Sequence, residues 1–130
     1  MTRGVKTVRV DANVREAVRK MNKFDIGSIV VMQGRRPFGI LTERDILRRI
    51  VEPCIEPSIV KVKEIMSHPV VTIKPDVNIE EATRLMVRKR IKKLPVVEND
   101  ALVGIITSMD LMRAGPKLID SLEDLLRISK

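Results

Sequence analysis

Two heptapeptides in this 130-residue chain carry the residue types that could do chemistry: Gly39-Ile40-Leu41-Thr42-Glu43-Arg44-Asp45 and, 65 positions later, Gly104-Ile105-Ile106-Thr107-Ser108-Met109-Asp110. A glycine in a strand lets another group approach the backbone closely. The Thr and Asp that follow sit where a helix begins, and free N–H groups at a helix start favour an anion such as phosphate. The same Thr-x-x-Asp spacing is also a capping box that needs no ligand, and the local pattern leaves both readings open. A second candidate is the basic run 88–93, in which five of six residues are cations: Arg88, Lys89, Arg90, Lys92 and Lys93. Arg88 and Lys89 suit a solvated helix end whose cations complement the dipole. Lys92 and Lys93 directly precede a strand that has no need of two lysines, which makes them the better anion ligands.

The remaining reactive side chains are isolated. His68, the single histidine, stands before Pro69 with no partner for general-base work, and Cys54, the single cysteine, lies among Glu52, Pro53 and Glu56 without the cations that lower a thiol pKa. One Cys and one His cannot form a zinc cluster, so no metal site is expected. No phosphate-cradling lysine loop, paired catalytic carboxylates or Ser-His arrangement is present. The chain should therefore bind a ligand rather than turn one over, with no catalytic residues and no required cofactor. A net charge of +8 attracts anions of any kind. Aromatics amount to 2%, Phe24 and Phe38 alone, so no platform exists for stacking single-stranded bases. The opening stretch is charged and alternating, and no apolar run approaches a membrane span, which points to a cytoplasmic protein, neither exported nor inserted.

The elements that must position these residues come as a repeat. Asp11, Asn13, Glu16, Ala17, Arg19 and Met21 recur in gapless register as Asp76, Asn78, Glu81, Ala82, Arg84 and Met86. Each copy reads βαββα. A short strand, 7–10 or 71–73, leads to Asn13 or Asn78, which can cap a helix in a box completed by Glu16 or Glu81. The helix faces are Val14, Ala17, Val18 and Met21 in one copy, and Ile79, Ala82, Leu85 and Met86 in the other. Strands follow at 28–32 and 38–41, and at 94–97 and 102–106. Their links, 33–37 and 98–101, have hairpin length and polarity. A second helix then buries Ile46, Leu47 and Ile50, or Leu111 and Met112. The expected organisation is a first repeat at 1–51, a connector at 52–67 with one helical turn at 62–66, a second repeat at 68–115, and an amphipathic tail helix at 116–130. One such unit buries little alone, so the copies should pack about a pseudo-twofold axis in a mixed α/β (α+β) fold. Ile46, Ile50, Leu118, Leu122 and Leu126 need cover, which leads to the expectation of a homodimer, with the tail packed on the module or on a second chain.

Both Gly-h-h-Thr-x-x-Asp segments, both Glu-Ala-x-x-x-Met helices, and Ile-Gly-Ser-Ile-Val-Val against Ile-Lys-Lys-Leu-Pro-Val-Val resemble the paired cystathionine-β-synthase (CBS) domains of the Bateman module, over about residues 5–115. The resemblance implies clefts between the repeats that take adenosine-containing ligands, with the Asp accepting from ribose hydroxyls and the Thr near phosphate. One cleft would use Thr42, Arg44 and Asp45 with Pro69, Val70 and Val71, plus Ile91, Lys92 or Lys93. The other would use Thr107 and Asp110 with Val5, Lys6 and Thr7, plus Ile26 and Gly27. Met109 replaces Arg44, and Gly27-Ser28 replaces Lys92-Lys93, so the two sites are unequal. The function implied is a stand-alone regulatory module that binds AMP, ADP, ATP or a related adenosyl compound and signals to an unknown partner protein. The alternative is a basic nucleic-acid-associated protein using 88–93 with Arg35, Arg36, Arg48 and Arg49 on a phosphate backbone, although nothing reads as a recognition helix.

Overall fold

In the computed structural model, which describes residues 4–114, the chain divides into two compact units, one spanning Lys6–Val70 and the other joining residues 4–5 to 71–114. The fold class is mixed α+β, as the repeat pattern implies. In the first unit the order is β1 (Thr7–Arg9), α1 (Val14–Phe24), β2 (Ser28–Gln33), β3 (Arg36–Thr42) and α2 (Glu43–Ile46), which continues as a π-helical turn at Leu47–Val51. The sheet order is β1-β2-β3, with β1 parallel and β3 antiparallel to β2. The second unit holds α3 (Ile79–Lys89), β4 (Lys93–Glu98), β5 (Ala101–Thr107) and α4 (Ser108–Ala114), with β4 and β5 antiparallel. The expected tail helix lies outside the described residues.

Local chemistry explains these elements. Asn13 and Asn78 side chains accept from the Glu16 and Glu81 N–H groups at 2.9 and 2.8 Å, satisfying an otherwise orphaned donor at each helix start. The glutamates do not return the bond to the cap backbone as a full box requires; Glu81 instead accepts from the Asn78 amide at 3.3 Å. Both helices end on a left-handed residue, Asp25 and Arg90, at the same place in the repeat. The hairpin links are tighter than their polarity suggests. Gln33 pairs with Arg36 and Glu98 with Ala101, leaving two-residue turns, and Asn99 and Asp100 both take the positive φ of a type I′ turn.

Three expectations are corrected. The strand at 71–73 is reduced to one parallel bridge, Ile73 with Val96. In the first unit the Val10 N–H extends the ladder by donating to Met32 O at 3.0 Å. The repeat counterpart of Val10 is Pro75, which has no N–H, and Pro95 inside β4 lacks one as well, so the parallel ladder cannot extend either way. Leu47, expected in the core, is 59% exposed, because the π-helical turn places Ile50 inward and leaves Leu47 and Val51 outward. Ile79, expected on the buried face of its helix, is 46% exposed, whereas its counterpart Val14 is 0% exposed.

The segment expected as a connector, 52–67, supplies Val62, Ile65 and Met66 to the same core as Val14, Met21, Ile29 and Leu41. Its Val62–Glu64 turn is a 3₁₀ helix. Val14 N–H donates to Val60 O, Val62 N–H to Ala12 O and Lys63 N–H to Val10 O, so the segment runs along the start of α1. Ser67 and Ile40 exchange backbone bonds at 2.9 and 3.0 Å. The close approach that Gly39 permits is therefore made by the chain itself: a Cβ there would lie 2.7 Å from Met66 Sδ and 2.8 Å from Ser67 O. The oxygen is backbone and cannot swing away, so Gly39→Ala should cost about 1–3 kcal/mol through overpacking. Chemical denaturation of the variant reads this directly.

Candidate functional site

In both units the Thr-x-x-Asp segment forms the full capping box. Thr42 N–H donates to Asp45 Oδ2 at 3.0 Å, and Asp45 N–H to Thr42 Oγ1 at 3.1 Å. The second unit repeats this with Thr107 and Asp110 at 2.9 and 3.2 Å. The next helical N–H is also satisfied at equivalent places, Glu43 N–H by Gly27 O and Ser108 N–H by Lys92 O. Thus the start of β2 or β4, the end of β3 or β5 and the first helical turn converge at one point in each unit. Ser28 pairs with Thr42, and Lys93 with Thr107.

The structure accordingly brings Gly27 to Thr42 and Asp45, and Lys92 and Lys93 to Thr107 and Asp110. Arg44 is exposed beside the first cluster, and Met109, at its repeat position, is 54% exposed. Pro69 follows a cis peptide from His68, and Val70 ends the first unit. Val5, Val71 and Ile91 belong to the second unit, and Ile26 packs against the first core. Lys6 lies over the Phe24 ring, 4.4 Å from its centre. Thr7 opens β1, and its carbonyl accepts from Lys20 Nζ at 2.6 Å. The combinations expected for the two clefts draw on both units.

The two carboxylates differ in what else they hold. Asp45 also accepts from Ser67 Oγ, at 3.1 Å on Oδ1 and 3.2 Å on Oδ2. An ionised carboxylate offers about four lone-pair sites, so one N–H and one shared O–H leave Asp45 room for further donors. Among the described residues, Asp110 accepts from Thr107 N–H and faces Arg113 at 3.9 Å. Ser67 is the residue that motif reading missed. Only the 65-residue register, which matches it to Thr2, marks it at all.

Lys93 is half-buried, and burial pulls its ammonium below the ordinary 10.5 because desolvation disfavours the charged form. A depressed lysine binds fewer protons folded than unfolded, so stability should rise as pH climbs through the lowered value towards 10.5. Lys93→Met keeps the aliphatic stem without the charge. It should flatten the pH dependence of Tm in the window just below 10.5, which melting curves across that range read directly.

Two units sharing one capped strand–helix corner define a tandem-repeat α+β protein, the second copy abbreviated at its first strand. The chain belongs to the CBS domain family, whose profile matches residues 1–52 and 62–117. It is similar to an uncharacterized protein of Methanopyrus kandleri, 39% identical over 111 residues, which cover 84% of this chain and 57% of that protein. The chain thus spans little more than half of that relative. It also matches an inosine-5'-monophosphate dehydrogenase of Korarchaeum cryptofilum, 36% identical over 110 residues, 84% of this chain and 22% of the enzyme. Among solved structures, a conserved CBS domain protein of unknown function from Thermoplasma acidophilum aligns with TM-score 0.84 at 27% identity, covering 97% of this chain and 71% of that one. Among the described residues no helix is long and apolar enough to cross a membrane.

Proposed function

We propose that the chain is a non-catalytic regulatory module that binds an adenosine-containing ligand, AMP, ADP, ATP or a related adenosyl compound, and relays occupancy to a partner protein. The observation that carries this reading is the second corner, where the half-buried Lys93 pairs across the strands with Thr107, whose N–H donates to the Asp110 carboxylate. A cation held against desolvation suits a phosphate, and a neighbouring carboxylate suits sugar hydroxyls. The match to about a fifth of a dehydrogenase supports a module that accompanies a catalyst rather than being one.

Calorimetric titration with AMP, ATP, S-adenosylmethionine and a short DNA duplex, at two salt concentrations, tests the proposal. An adenosyl ligand should bind and, at 100 times its Kd, add about 2.7 kcal/mol of stability. Binding of the duplex alone, falling steeply with salt, would replace this reading with the nucleic-acid one.

The module should also self-associate. Leu47, Val51, Ile55 and Ile59, 41–78% exposed, recur every four residues on the outer side of the first unit. They replace Ile46 and Ile50 as the surface in need of cover, since Ile50 is buried by its own unit. Light scattering at micromolar concentration should report two chains per particle, and Leu47→Asp with Val51→Asp should return it to one.

A further inference from the structure

The two corners share a capping box and differ in charge at one point. Glu43 N–H donates to Gly27 O at 3.1 Å, and at the same place in the second repeat Ser108 N–H donates to Lys92 O at 3.0 Å. The first helical residue and the residue before the strand therefore meet in both units. In the first unit the pair is a carboxylate over bare backbone: a Cβ on Gly27 would lie 3.4 Å from the Glu43 carboxylate. In the second, a lysine and a serine hold these positions. Glu43 and Lys92 are both exposed, and neither is ion-paired with another described residue. Equivalent points thus carry uncompensated charges of opposite sign. Over positions 27, 28, 43, 44 and 45 the acids outnumber the bases by one, even with Arg44 counted, while over 92, 93, 108, 109 and 110 the bases outnumber the acids by one.

Resting on the reading that both corners take adenosine-containing ligands, we propose that Glu43 and Lys92 sort those ligands by charge. The first corner takes an adenosyl compound of low negative charge, such as a monophosphate, and the second takes a di- or triphosphate. A phosphate close to Glu43 meets like charge, and Gly27 supplies no cation to offset it. The same phosphate at the second corner meets Lys92. Lengthening the phosphate chain adds negative charge, so the penalty at one corner and the gain at the other grow together. One pair of unit charges about 4 Å apart changes affinity by a factor of about 5 in water, so a chain of phosphates should change it about 10-fold or more.

Calorimetric titration with AMP and with ATP, in the absence of divalent cations, reads the sorting. ATP should fill one site per chain, lost in Asp110→Ala and kept in Asp45→Ala. Glu43→Gln should raise the affinity for ATP relative to AMP at the first corner about 10-fold, and Lys92→Gln should lower that ratio at the second by a similar factor. Gly27→Lys with Glu43→Ser, which copies the second corner's pair into the first, should bring ATP to two sites per chain. Because each ratio compares two ligands on one variant, a general loss of stability does not imitate it. An ATP-to-AMP ratio that none of these changes moves would overturn the sorting and leave the adenosine-binding reading standing, as would ATP held at the corner of Asp45. Failure of both nucleotides to bind the parent chain would instead remove the underlying reading, and the sorting with it.

Discussion

Asp45→Ala is expected to weaken adenine-nucleotide binding at its corner about 10- to 150-fold, because a charge-assisted hydrogen bond contributes about 1.5–3 kcal/mol. The same change should lower stability, since Thr42 N–H and Ser67 Oγ both lose their acceptor. Asp110→Ala should weaken binding at its own corner by a similar factor and lower stability as well, since the Thr107 N–H loses its acceptor. Ser67→Ala separates the two effects: it should lower stability and leave affinity nearly unchanged. Calorimetric titration with AMP alongside melting curves of the three variants provides the measurement. Lower stability with unchanged affinity in both Asp variants would leave the carboxylates as helix caps alone and remove the ribose contact.

Val62→Asp should be more damaging still. Val62 is fully buried, so the new carboxylate would enter an apolar core with no partner, and such substitutions cost more than about 4 kcal/mol. If 52–67 were only a connector, the same change would fall within about 0.5 kcal/mol of the parent. Urea unfolding distinguishes an almost complete loss of the folded state from no change.

Much of the fold was legible because its signals are local. Asn13, Asn78, Thr42 and Thr107 cap helices as their spacing to the next polar residue implies. The strands differ from expectation mainly by a residue or two at their ends. The loss of the second parallel ladder was also written in the chain, in Pro75 and Pro95, but becomes readable only once the pairing partners are known. What could not be read depends on contacts distant in sequence. Nothing around Val62 distinguishes a buried valine from one in a linker, and nothing around Ile79 tells that it is exposed where its counterpart Val14 is sealed. At the site, the Thr–Asp pairs were legible and turned out to be capping boxes. The bond from Ser67 to Asp45, spanning 22 residues, was not.

The span Lys6–Val70 is as long as the repeat period itself. The period that was copied is therefore also a packing period, but its phase is shifted from the one hydropathy suggests, with the linking segment counted among the residues before it. For gene fusion or split-protein complementation this moves the cut. A break after Val51 would strand Val62, Ile65 and Met66 on the wrong fragment and leave the other with an open core. A break between Val70 and Val71 keeps each hydrophobic cluster on one polypeptide.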